Sequence, residues 1–188
     1  TGFVGCVMEP EVFLLVNRKN NLGDATRQAQ RFITASNFTG EVTVALALGT
    51  LEQQWQWLRC ADYSGSSSSY LVNKGSGAEL NGHNGTTVTM SRYPDFGSAW
   101  DYSPDVGLLK DSQTGKVASM IKKSTTVKMT SRIRYTKING VETTSPWNNF
   151  LWDLVPVTET TTGGYETTTG GYETTTGGYE TTTGGSET

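Results

Sequence analysis

The sequence predicts an all-β domain followed by a non-globular tail, and three observations carry that reading. Apolar residues come in short runs rich in Val, Ile, Thr and aromatics, clusters of Gly, Asn, Ser and Pro separate the runs, and from Glu159 onward a seven-residue unit repeats. In chain order the strand-like runs are Val12–Val16, Arg31–Thr34, Glu41–Leu48, Gln54–Leu58, Tyr70–Asn73, Thr86–Ser91, Lys116–Ile121, Thr125–Thr130, Ile133–Ile138 and Phe150–Val155. Each has strand length and is bounded by turn formers. One stretch departs from the pattern. Leu22 to Phe32 contains Asp24-Ala25-Thr26-Arg27-Gln28-Ala29-Gln30, good helix formers, and is expected to hold a helical turn or two within an insertion.

The tail, 158–188, is built from Glu-Thr-Thr-Thr-Gly-Gly-Tyr units starting at Glu159, Glu166 and Glu173, with a last unit from Glu180 in which Ser186 replaces the tyrosine. Each unit sets one large side chain against three hydroxyls, a carboxylate and two glycines. Burial cannot offset the roughly 1–2 kcal/mol per residue of backbone entropy. Regular triple threonines are the composition of O-glycosylated stalks, with Thr160, Thr161, Thr162, Thr167, Thr168, Thr169, Thr174, Thr175, Thr176, Thr181, Thr182 and Thr183 as acceptors. A plain disordered linker is the other reading. An ordered repeat would instead join copies of the chain in a polymer, since an extended segment can add to another subunit's sheet edge. A start at Thr1 and a stop two residues into a further unit are what a piece of a longer polypeptide would show.

Residues 1–157 suit a single domain with its own core. Net charge is −3 with both signs scattered along the chain, so no basic face for nucleic acid or anionic lipid is expected. The longest apolar candidate, Val42 to Leu48, is far short of the ~20 residues of a membrane helix. Cys6 and Cys60 can close one disulfide or remain as two buried thiols. The disulfide fits better with the other signs of an extracellular or cell-surface location, which include two N-glycosylation triplets at Asn37 and Asn84.

Catalytic chemistry is thin. His83 is the single histidine, it lies in the turn-like Asn81-Gly82-His83-Asn84-Gly85, and it has no Cys or His at metal-ligand spacing. Asp101 with Asp105 is too little for calcium, and Gly75-Ser76-Gly77 lacks the surroundings of a phosphate loop. No enzyme, metal or cofactor is expected.

Internal echoes organise the domain. Trp55-Gln56-Trp57, Trp100-Asp101-Tyr102 and Trp152-Asp153-Leu154 each read as a tryptophan, an outward polar residue and a large residue. Counting from Trp57, the tryptophans are spaced 43 and 52 residues apart, a loose period. Thr86-Thr87-Val88-Thr89-Met90 is echoed by Thr125-Thr126-Val127-Lys128-Met129, and Leu15-Val16-Asn17 by Leu71-Val72-Asn73.

On these residues, and on Gln53-Gln54-Trp55-Gln56-Trp57 in particular, the chain resembles the ricin-B-type β-trefoil of R-type lectins. That family repeats a unit of roughly forty residues three times, each ending in a Gln-x-Trp strand. The resemblance covers Val12 to Val155, but the glutamine is absent before Trp100 and Trp152 and the usual cysteines within repeats are missing. It implies a β-trefoil, with a jelly-roll or immunoglobulin-like sandwich as the competing arrangement of short strands. It also implies a glycan partner, held by Glu79 as the polar residue, Tyr93 as the stacking ring, and Asn81 or Asp95 as helper. A non-enzymatic carbohydrate-binding or adhesive module on a glycosylated stalk is the expected function, and a subunit of a glycan-coated filament the alternative.

Overall fold

A computed structural model describes residues 3–19, 31–35, 40, 42–45, 50–83, 85–92, 97–121 and 125–157. By its contacts the chain divides into Thr1–Pro156 and Val157–Thr188. The expected helical turns before Arg31, the positions Asn37, Asn84, Tyr93 and Asp95, and the repeat threonines lie outside the described residues.

The strands are β1 (Phe3–Met8), β2 (Phe13–Asn17), β3 (Arg31–Ala35), β4 (Val42–Ala45), β5 (Trp55–Asp62), β6 (Ser67–Asn73), β7 (Glu79–Asn81), β8 (Thr89–Ser91), β9 (Trp100–Tyr102), β10 (Leu109–Asp111), β11 (Val117–Met120), β12 (Val127–Thr130), β13 (Tyr135–Ile138), β14 (Val141–Pro146) and β15 (Trp152–Pro156). Six of them close a barrel. Antiparallel ladders join β15 to β2, β2 to β5, β5 to β6 and β9 to β10. β6 lies beside β9, and a bridge between Leu108 and Leu151 completes the ring. The hairpins β3–β4, β7–β8 and β11–β12 cap it.

Backbone hydrogen bonds show a threefold arrangement. In the cap, the N–H of Val44 donates to the carbonyl of Thr125, that of Met90 to Gly40, and that of Met129 to Thr86, so each hairpin leans on another in a closed cycle. At the barrel, the N–H groups of Arg18, Lys74 and Ser112 donate to the carbonyls of Leu151, Gln54 and Ala99. Each repeat is thus a barrel strand, a capping hairpin and a second barrel strand. The fold is a β-trefoil, and neither sandwich alternative accommodates such a cycle.

Side chains follow the same symmetry. Leu15, Leu71 and Leu109 fill one layer, while Val42, Val88 and Val127 fill another, all fully buried. Three buried indoles stand between them: Trp55 Nε1 donates to the Ile33 carbonyl (3.3 Å), Trp100 Nε1 to Leu80 (3.1 Å) and Trp152 Nε1 to Ala118 (2.9 Å). A buried indole N–H needs an acceptor, and the preceding hairpin provides it. This corrects the repeat register. Trp55, not Trp57, is equivalent to Trp100 and Trp152, and Trp57 takes the place of Tyr102 and Leu154, which also pack on the core.

Two additions decorate the trefoil. β1 runs along β5 with Cys6 opposite Cys60, and these form a disulfide (S–S 2.07 Å). The hairpin β13–β14 is inserted before β15, its tip turned by Asn139 (φ 51°) and Gly140 (φ 79°), both in the left-handed region that a tight hairpin turn requires.

Candidate functional site

The indole bonds align the three repeats residue by residue. The residue after each accepting carbonyl is Thr34, Asn81 or Ser119, at the end of β3, β7 and β11 or one residue short of it. A polar side chain at this place has a hairpin on one side and the segment leading to the repeat tryptophan on the other. The three places differ in what surrounds them.

In the second repeat, Asn81 is 3% exposed and internally committed. Its amide donates to Ser91 Oγ (2.6 Å), and its carbonyl oxygen accepts the backbone N–H of His83 (3.1 Å). Glu79 is half-buried, and its carboxylate accepts the Gly97 N–H (2.6 Å). Burial pushes the Glu79 carboxyl above its ordinary value, and the Gly97 hydrogen bond draws it part of the way back. Glu79 thus holds the loop at Gly97, while Asn81 ties Ser91 of β8 to the turn at His83. A Cβ on Gly82 would stand 2.7 Å from Trp100 Cη2, so the backbone here is pressed onto the core. The Tyr93 and Asp95 members of the expected constellation lie outside the described residues.

His83 is not the exposed turn residue that its sequence neighbours imply. It is half-buried, with Nδ1 3.2 Å from Ser98 Oγ. Ser98 is 1% exposed, and its oxygen already accepts the Gly82 N–H (2.7 Å), which makes it a strut rather than an accessible nucleophile. Among the described residues no group of three His, Cys, Asp or Glu could hold a metal ion, and no helix is long and apolar enough to cross a membrane.

The third repeat differs. An open pocket of about 580 Å³ lies against β11, β12 and the segment leading into and out of the inserted hairpin. Its floor is apolar, formed by Met120, Met129 and Phe150, and Ser119 contributes a hydroxyl that donates to the Lys128 carbonyl (3.2 Å). Trp147 forms one wall. The residue is 42% exposed, and its ring is fixed by Nε1 donating to the Tyr135 carbonyl (2.9 Å), with the Arg134 guanidinium 5.4 Å from the ring centroid. Asn149, half-buried, lies two residues further on in the same wall. Lys128, Thr130, Arg132 and Arg134 follow at alternate positions, and all line the pocket together with Lys19.

Neither Trp147 nor this alternation belongs to the site expected from sequence. The signal was legible as Lys128-x-Thr130-x-Arg132-x-Arg134, a period-two run that puts polar side chains on one face of an extended segment. A smaller cleft of about 390 Å³ lies by Arg59, Trp100, Tyr102 and Lys110, but Arg59 is spent there on Glu9 (2.8 Å) and on the Trp57 ring.

Fold and pocket together define a β-trefoil with one accessible, aromatic-walled cavity among the described residues of its third repeat. No family model and no curated protein sequence matches the chain. Among solved structures it is similar to the C-half of an earthworm R-type lectin, determined in complex with GalNAc. That likeness has a TM-score of 0.47 and 11% identity, and it covers 79% of this chain and 100% of the lectin half.

Proposed function

We propose that the folded unit is a non-enzymatic carbohydrate-binding module that works outside the cell and seats its ligand in the third-repeat pocket. The observation that carries the reading is the wall formed by Trp147 and Asn149 over a floor of buried apolar side chains. A pyranose offers an apolar face that stacks on an indole and adjacent hydroxyls that pair with planar polar groups, and a pocket of this size suits one or two sugar rings. Holding the indole by its own N–H lowers the entropy lost on binding. The second-repeat place, with Glu79 and Asn81 as its described members, is the weaker candidate because both side chains already have internal partners.

The Cys6–Cys60 bridge supports an oxidising compartment. The Thr-rich repeat is then an O-glycosylated spacer that carries the module. A glycan array probed with the chain and with Trp147→Ala tests the site. Binding by the parent and loss of signal in the variant, at unchanged melting temperature, is the expected result. Equal signals would remove the pocket from the reading, and an array with no signal at all would remove the carbohydrate.

One observation favours assembly as a second reading. Among the described residues β1 ladders only with β5, and it exposes Val4 (61%) and Val7 (69%), a free edge to which another copy could add. Gel filtration of the same preparation separates the readings, since a monomer that binds glycans has no need of that edge.

A further inference from the structure

The pocket gathers charge that the chain as a whole does not have. Net charge is −3, yet Lys19, Lys128, Arg132 and Arg134 all line this one cavity and no Asp or Glu lines it. Two basic side chains outside it are paired with carboxylates: Arg18 lies 2.8 Å from Asp153, and Arg59 lies 2.8 Å from Glu9. Among the described residues none of the four pocket cations has a carboxylate within salt-bridge distance. Like charges facing one cavity repel each other, and the repulsion is strongest where apolar walls lower the local dielectric. An anion in the cavity relieves it.

From this geometry we infer that the third-repeat pocket selects acidic saccharides, with sulfate or carboxylate substituents on the sugar, over neutral ones. The inference rests on the carbohydrate reading and narrows it. Arg132 and Arg134 can each present a planar fork to a sulfate or carboxylate. Lys19 and Lys128 add point charges, and the Trp147 ring remains the surface for the sugar itself. A polynucleotide would also meet cations and an aromatic ring. The pocket favours a saccharide because its volume of about 580 Å³ suits one or two sugar rings, and its lining includes a single aromatic ring at the surface, that of Trp147, rather than the row of rings on which successive bases stack.

The test is isothermal titration of the full chain with a chondroitin sulfate tetrasaccharide, its desulfated counterpart reduced at the uronic acids, and a thymidine octanucleotide. The inference expects the sulfated sugar to bind at least about tenfold more tightly than the neutral one, with affinity falling as sodium chloride rises. Lys128→Gln with Arg132→Gln should weaken the sulfated sugar by about tenfold or more and the neutral one by a clearly smaller factor, so that the preference for the acidic sugar shrinks. Both side chains are exposed, so a melting curve verifies that the fold is intact. Equal binding of the two sugars overturns the selectivity and leaves the carbohydrate reading standing. Binding of the octanucleotide with no binding of either sugar overturns both.

Discussion

At the scale of single residues, the threefold symmetry identifies where one repeat departs from the other two. Asn17 and Asn73 occupy equivalent places, and each donates its amide to a backbone carbonyl three residues before a repeat tryptophan: Asn17 to Asn149 (3.1 Å) and Asn73 to Glu52 (2.9 Å). Asp111 holds the third such place. One of its oxygens accepts from the Thr114 N–H and hydroxyl, but Oδ1 is buried with no partner, in a residue that is 0% exposed. By equivalence with Asn17 and Asn73, an amide there is expected to donate to the carbonyl of Gly97, three residues before Trp100. Asp111→Asn is therefore expected to stabilise the domain by about 1–3 kcal/mol, because it replaces an orphaned acceptor by a paired donor. Urea denaturation measures it, and a variant no more stable than the parent would show that the third repeat solves this corner differently. Glu79 gives a second expectation, in pH. Its folded pKa is raised by burial, so the native state holds the proton more tightly than the unfolded chain does. The stability contributed by the acid form is complete below the ordinary carboxylate value and is lost as pH rises through the folded value. Glu79→Gln keeps an acceptor for the Gly97 N–H and removes the titration. It should melt above the parent near pH 7, with the gap closing toward about pH 4. A gap that is constant across that range would mean the carboxyl is not perturbed.

At the scale of elements, what could be read from the sequence depended on whether a strand makes its own signal. β2, β6 and β12 are alternating or near-continuous apolar runs, and the sequence contains them as Val12–Val16, Tyr70–Asn73 and Thr125–Thr130. β7, β9 and β10 are three residues long, too short for a period to show, and exist because the barrel and cap supply partners. β1 was missed for another reason. Its side chains are exposed along most of its length, so it has no buried face to leave a pattern, and it is held by the β5 ladder and the disulfide. The tryptophan echo was real, but its register slipped by two residues because Trp55 and Trp57 point the same way on one strand. Only the indole hydrogen bonds distinguish the repeat-forming ring from its neighbour. The site suffered from a related limit. Glu79 and Asn81 carry the polar chemistry a ligand would want, and their sequence gives no sign that Gly97, Ser91 and His83 already use it. The pocket cations were present as a period-two run, but scattered charges in a sequence have no common location until β11, β12 and the inserted hairpin bring them to one cavity.

At the scale of the whole molecule, the first repeat is tied differently from the other two, and this has a measurable consequence. The Cys6–Cys60 bridge spans a sequence separation of 54 and so encloses β2, β3, β4 and most of β5 in one covalent loop. In the unfolded chain a closed loop of that length loses roughly 4 kcal/mol of conformational entropy by the chain-closure estimate. The native state bears little of the cost, because the two cysteines already face each other in the β1–β5 ladder. Replacing both cysteines, Cys6→Ser with Cys60→Ala, should then lower unfolding stability by about 2–4 kcal/mol in urea. β-sheet circular dichroism should persist, since the barrel ladders and the cyclic cap do not pass through β1. Binding in the third-repeat pocket should also persist at temperatures where the variant is folded, because none of its lining residues belongs to β1 or β5. A variant that loses its fold outright would mean that the threefold core cannot close without the bridge, and one that loses binding but not stability would mean that the pocket depends on β1 or β5.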